Sequence, residues 1–128
     1  MVVGDEEKSL CEITMNAHLV LSIFHALVIA PFLIYIGLQQ SDTPDKVFTL
    51  LAILAAVIAV YHAYRAYTKI AEGKSAWINW IHLGLIVPLF VILAKNKKDT
   101  ERRYFEMTLM LGFAALGYHG YYMVREFA

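Results

Sequence analysis

The 128 residues are 59 % hydrophobic and 17 % charged, against roughly 45–50 % and about 25 % in soluble domains. Formal net charge is zero and the lysines and arginines sit at segment ends, which excludes a nucleic-acid-binding surface. The apolar excess lies in long runs, so the chain reads as one all-α integral membrane domain.

In chain order, residues 1–11 read as a short polar tail ahead of a single membrane domain, 12–128. Asp5, Glu6, Glu7 and Glu12 make this end acidic, whereas a secretory signal starts basic, so the first apolar run is expected to remain in the mature chain. Cys11 is the one cysteine and cannot form an internal disulfide. The pattern predicts a first helix over residues 12–38, whose apolar part, 19–38, can cross a hydrocarbon core of ~30 Å at about 1.5 Å per residue. Pro31 inside it removes a backbone donor and predicts a kink.

A turn at 39–44 follows, with Asp42 or Thr43 as the expected cap of a second helix over 44–71. Glu72-Gly73-Lys74-Ser75 predicts a tight turn. A third helix over 76–94 opens with Trp77 and Trp80 as interface anchors and carries Pro88. The basic connection 95–103 leads to a fourth helix over 100–126, with Asp99 or Thr100 as cap. Short turns make sequential helices antiparallel, which predicts a four-transmembrane-helix up-down bundle with both termini on one side of the membrane. Lys46, Lys95, Lys97, Lys98, Arg102 and Arg103 lie on the side of the first and third loops, and Lys8, Arg65, Lys69, Lys74 and Arg125 on the other. The charge density of the third loop leans it toward the cytosol.

The halves 18–71 and 75–128 align without a gap at an offset of 57. Tyr61-His62-Ala63-Tyr64 matches Tyr118-His119-Gly120-Tyr121, His25 matches His82, Pro31 matches Pro88, and Asp42-Thr43 matches Asp99-Thr100. Ile29/Ile86, Phe48/Phe105 and Leu54/Leu111 match as well. The sequence therefore predicts two tandem-duplicated helical hairpins with a pseudo-two-fold axis along the membrane normal. Most other positions differ between the halves while the histidines agree, which points to a constraint on them.

Threading the helices places His25, His62, His82 and His119 near one depth, in the half of the bundle nearer the termini. Thr14, His18, Ser22 and His25 share one helical stripe. Ser22 and Asn79 each precede a histidine by three residues and can support an imidazole by hydrogen bond, with Tyr61 and Tyr118 beside the other two rings. Seven residues before His62 and His119 stand Ala55 and Gly112. The gap they leave either admits a flat cofactor or lets another helix approach.

Ionisable groups inside a bilayer are costly and mark sites, and imidazole is the commonest side-chain ligand of transition metals. Four imidazoles without an anionic ligand suit haem b, with two axial histidines per iron, or a copper or zinc ion. In outline this is similar to four-helix cytochromes that hold haem between histidines of facing helices, an analogy of fold and ligand type. The expected function is electron transfer or sensing in a lipid bilayer, with a redox partner or a second copy of the chain.

Two other readings compete. A structural or scaffolding membrane protein has no cofactor, and its histidines are packing or interface residues. A proton or metal-ion pathway needs a polar stripe across the membrane, but Ile29 and Phe32 follow the stripe of helix one. No nucleophile stands at a sensible spacing from a base, and no phosphate-cradling glycine loop or carboxylate pair is present, so hydrolase and transferase chemistry is not expected.

Overall fold

The computed structural model describes residues 3–128, with the side chains of residues 4–10 and 17–128. The expectations for Cys11, and for Thr14 on the polar stripe, concern side chains outside the described residues. The chain is all-helical, and no strand occurs among the described residues. Helix α1 (Val3–Phe24), a π-helical segment (His25–Ile29) and α2 (Ala30–Gln39) form one continuous run, followed by a 3₁₀ turn at Gln40–Asp42 and α3 (Asp45–Ala71). Then come α4 (Trp77–Ile81), a second π-helical segment (His82–Ile86), α5 (Val87–Asn96), a 3₁₀ turn at Lys97–Asp99 and α6 (Arg102–Phe127).

Three of these runs, Ala17–Asp42, Asp45–Ala71 and Trp77–Asp99, are long and apolar enough to cross a membrane. The apolar stretch of α6 is shorter, since Arg102, Arg103 and Glu106 precede it and Gly117, Tyr118, His119, Gly120, Tyr121 and Tyr122 follow. Helix α1 begins at Val3 rather than near residue 12. Asp5 and Glu6 lie in its first turn, where carboxylates favour the helix N-terminus.

The expected proline distortions take the form of π turns. A proline lacks the N–H of the helical ladder, and its ring crowds the carbonyl four residues back. Widening the turn ahead of it relieves that contact and keeps neighbouring backbone groups bonded. The N–H of Ala30 donates to His25 O just before Pro31, and the N–H of Val87 donates to His82 O just before Pro88. The two π segments begin 57 positions apart.

The two 3₁₀ turns share a second irregularity. Gln40 and Lys97 adopt left-handed φ values of 52° and 51°. In each turn the threonine N–H three residues on donates back across it, Thr43 to Gln40 O and Thr100 to Lys97 O, both at 3.1 Å. The Thr100 hydroxyl also donates to Lys97 O at 2.6 Å, so it closes the turn. Neither Asp42 nor Thr43 caps α3; Pro44 occupies the cap position and no side-chain cap bond forms.

The tight turn after α3 is a Schellman motif. The Lys74 N–H donates to Lys69 O at 2.7 Å and the Gly73 N–H to Ile70 O at 3.0 Å. Gly73 supplies the left-handed residue this requires, at φ +70°. Lys74 bridges to Glu72 at 2.8 Å and holds that carboxyl below its usual range, by hydrogen bond first and by charge second.

The chain divides into two compact units, Met1–Leu38 with Met107–Ala128, and Gln39–Glu106. In the first, α2 and α6 meet backbone to backbone. A Cβ added at Gly112 would lie 2.8 Å from Ile34 Cγ1 and 2.9 Å from Ile34 N, and one at Gly37 would lie 2.7 Å from Leu109 Cα. Ser22, Ala26, Ala30, Leu33 and Ile36 line the buried side of its first run, and Thr108 that of α6. In the second unit, α3 packs on α5 and on the π segment His82–Ile86. Phe48, Leu51 and Ala55 are buried on α3 at helical spacing, and Leu89, Phe90 and Leu93 are buried on α5. Phe48 and Phe105 meet with ring centroids 6.4 Å apart.

Candidate histidine site

The faces that bury each unit also carry the histidines. On α3 the stripe through Phe48, Leu51 and Ala55 reaches His62 one heptad after Ala55. On α6 the stripe through Thr108 and Gly112 reaches His119 by the same step. His25 and His82 stand at the first positions of the two π segments.

The four histidines come together as two pairs. In the first unit His25 stacks on His119, with ring centroids 4.5 Å apart and planes inclined by 29°. In the second, His62 stacks on His82 at 3.9 Å and 13°. Partners in space are thus one π-segment histidine and one from a straight helix, and residues matched by the 57-residue offset belong to different pairs.

His25, His62 and His82 each place Nδ1 against an oxygen. His25 Nδ1 lies 2.8 Å from Leu21 O and His82 Nδ1 lies 2.7 Å from Ile78 O, each a carbonyl one turn back. A carbonyl only accepts, so these Nδ1 atoms carry hydrogen. His62 Nδ1 donates to Asn79 Oδ1 at 2.9 Å. In a neutral ring with hydrogen on Nδ1 the lone pair is on Nε2, the form in which imidazole ligates a metal.

The residues expected beside the histidines divide. Asn79, 2 % exposed, supports a ring, but that of His62 on the facing helix and not that of His82 three residues on. Its Nδ2 is buried without a hydrogen-bond partner. Ser22, 1 % exposed, supports no ring: its Oγ also lacks a hydrogen-bond partner. Tyr61 and Tyr118 each set an edge against the next ring, with centroids 5.1 Å from His62 and from His119. His18 is exposed and edge-on to Tyr122 at 5.1 Å.

Tyr122, which also meets Tyr118 at 5.1 Å, was not expected at the site, although its place three residues after His119 puts it on the same face. No slot for a flat cofactor opens at Gly112, because Ile34 and Ala30 occupy that space; of the two uses expected for the small residue, the close helix approach is the one found.

Among the described residues, no group of three or more His, Cys, Asp or Glu side chains is placed to hold a metal ion. The basic third loop is partly neutralised: Arg102 bridges to Glu106 at 2.7 Å and Arg103 to Glu101 at 3.0 Å. Fold and site together define an all-helical chain in which, among the described residues, three helices are apolar enough for a bilayer and four half-buried histidines stack in two pairs. No known protein family, curated protein or solved structure matches the chain.

Proposed function

We propose that the chain is a four-span membrane protein of duplicated hairpins whose histidine pairs ligate b-type haem, for electron transfer or redox sensing. The observation that carries the reading is the pairing itself. Each unit brings two imidazoles together, and the Nδ1 protons of His25, His62 and His82 are committed to fixed acceptors, which leaves Nε2 for a metal. Haem iron takes one protein ligand on each face, so two imidazoles complete it, whereas zinc takes three or four protein ligands. The grouping of donors by twos therefore favours haem over copper or zinc. His25 with His119 and His62 with His82 would hold the haem, which would supply one-electron redox chemistry.

The duplication is supported by irregularities that recur at the same offset, namely the two π segments and the two left-handed residues Gln40 and Lys97. A fourth span is supported by α6, whose 26 residues equal about 39 Å of helix at 1.5 Å per residue. A second reading, a structural membrane protein without cofactor, is favoured by the stacking, because rings already in contact fill their own space.

The test is an absorption spectrum of the detergent-purified protein, oxidised and then reduced, with metal analysis of the same sample. A Soret band with sharp reduced bands, lost in His25→Ala/His62→Ala, which removes one ring from each pair, is the expected result. Stoichiometric copper or zinc without a Soret band moves the assignment to a metal site. Neither, in protein expressed with haem and metals supplied, leaves the structural reading.

A further inference from the structure

We infer that Pro31 and Pro88 are positioning residues of the histidine pairs: through the π turns they set the helical phase at which His25 meets His119 and His82 meets His62. The inference goes beyond the haem reading and does not rest on it. Pro31 stands six residues after His25 and Pro88 six after His82, and each histidine opens the π turn that lies ahead of the proline.

In each unit the ring is tied to the helix segment before the π turn. His25 Nδ1 donates to Leu21 O at 2.8 Å and His82 Nδ1 to Ile78 O at 2.7 Å, both carbonyls of the ring's own helix. The ring therefore points where that segment turns it. The segment after the π turn is seated on the partner helix. In the first unit α2 meets the backbone of α6 at Gly37 and Gly112, and His119 follows Gly112 by one heptad. In the second, α5 packs on α3 with Leu89, Phe90 and Leu93 buried, and His62 follows Ala55 on α3 by one heptad.

The π turn is the joint between these segments. An α-helix turns about 100° per residue, and a π turn, closed i→i+5 instead of i→i+4, takes in one residue more. Its two ends thus differ by about 100° from their relation in an uninterrupted helix of the same length. With α2 held on α6, or α5 on α3, loss of the π turn swings the histidine by about that angle, off the face that meets its partner. Replacing the proline removes the ring that crowds the preceding turn and supplies the N–H that closes an α ladder.

The experiment reads ring-to-ring cross peaks in NOE spectra of the detergent-purified full chain, made with ¹³C,¹⁵N-histidine and without haemin, with the four paired rings assigned from single histidine-to-glutamine variants. Pro31→Ala is expected to lose the His25–His119 cross peaks and keep those of His62–His82, and Pro88→Ala to do the reverse. Deleting the exposed Val28 from the Pro31→Ala chain takes out the extra residue, so a plain α-helix then has the original phase and the His25–His119 cross peaks are expected to return. Deleting the exposed Leu85 from the Pro88→Ala chain should restore His62–His82 in the same way.

Both pairs intact in Pro31→Ala and in Pro88→Ala overturn the inference, and so does a lost pair that the deletion does not restore. Loss of both pairs from each single variant also overturns it, since the prolines would then hold the fold and not the rings. No haemin is present, so a featureless absorption spectrum would remove the haem reading and leave the positioning role standing.

Discussion

The two units present similar residues on similar faces and hold their helices together differently. In the first, Gly112 and Gly37 let backbones touch, with Ile34 N and Leu109 Cα where a Cβ would go. In the second, the positions matched by the 57-residue offset are Ala55 and Ala94, so a methyl is already accommodated there. Side chains fill the space instead, chiefly Phe48, Leu51, Phe90 and Phe105. In the second unit a side-chain amide, that of Asn79, is also bonded across its helices to His62. The lesson is that similar residues on similar faces leave open how closely the helices meet, which the identity of a few small or polar residues decides.

The comparison breaks most sharply at Gly112. Gly112→Leu is expected to destabilise by ~3 kcal/mol or more, because a clash with the Ile34 backbone is not relieved by a rotamer change. Ala55→Leu should cost clearly less; equal losses, measured by SDS-induced unfolding in mixed micelles, would mean that the second unit is also in backbone contact. Gly37→Ala adds one methyl against Leu109 Cβ and backbone and should cost about 2 kcal/mol by the same assay. No change there would show that α2 and α6 separate easily.

Gly73→Ala tests the turn of the second unit. Its φ of +70° should make the substitution cost about 1–2 kcal/mol, although a Cβ would meet nothing. Gly117→Ala on α6 has open space and helical backbone, so it should stabilise by about 0.5–1 kcal/mol, opposite in sign to Gly37→Ala in the same unit.

The smallest effect is expected at Glu72. Its carboxyl is depressed in the folded chain, so the pairing stabilises above the unfolded value and is lost as pH falls through the folded one. Lys74→Ala should therefore leave stability at neutral pH nearly unchanged and return the Glu72 titration toward 4.5, read by side-chain carboxyl NMR. A large loss at neutral pH would mean that the pair, and not the Schellman turn, holds the connection.

Much of this organisation is legible in the residues. Gly73 announces a left-handed turn, and the apolar runs announce long helices at nearly their observed limits. Pro31 and Pro88 announce a distortion, but the choice of a π turn over a bend depends on where neighbouring helices let the backbone relax. The start of α1 at Val3 was hidden because a run with Asp5, Glu6 and Glu7 looks like a solvated tail when the only signal is apolar periodicity. Asn79 was visible as a support for a histidine, yet its target lies on the facing helix, a relation that spacing along one helix does not contain.

By itself the sequence determined the helical runs, the 57-residue offset and the faces on which His25, His62, His82 and His119 lie, because helical period and apolar burial are local properties. Only the tertiary structure decided that His25 meets His119 and His62 meets His82, that Ile34 fills the space over Gly112, and that Asn79 bonds across to α3. The physical reason is that a face can be read from periodicity, whereas its partner is chosen by close packing between segments far apart in the chain.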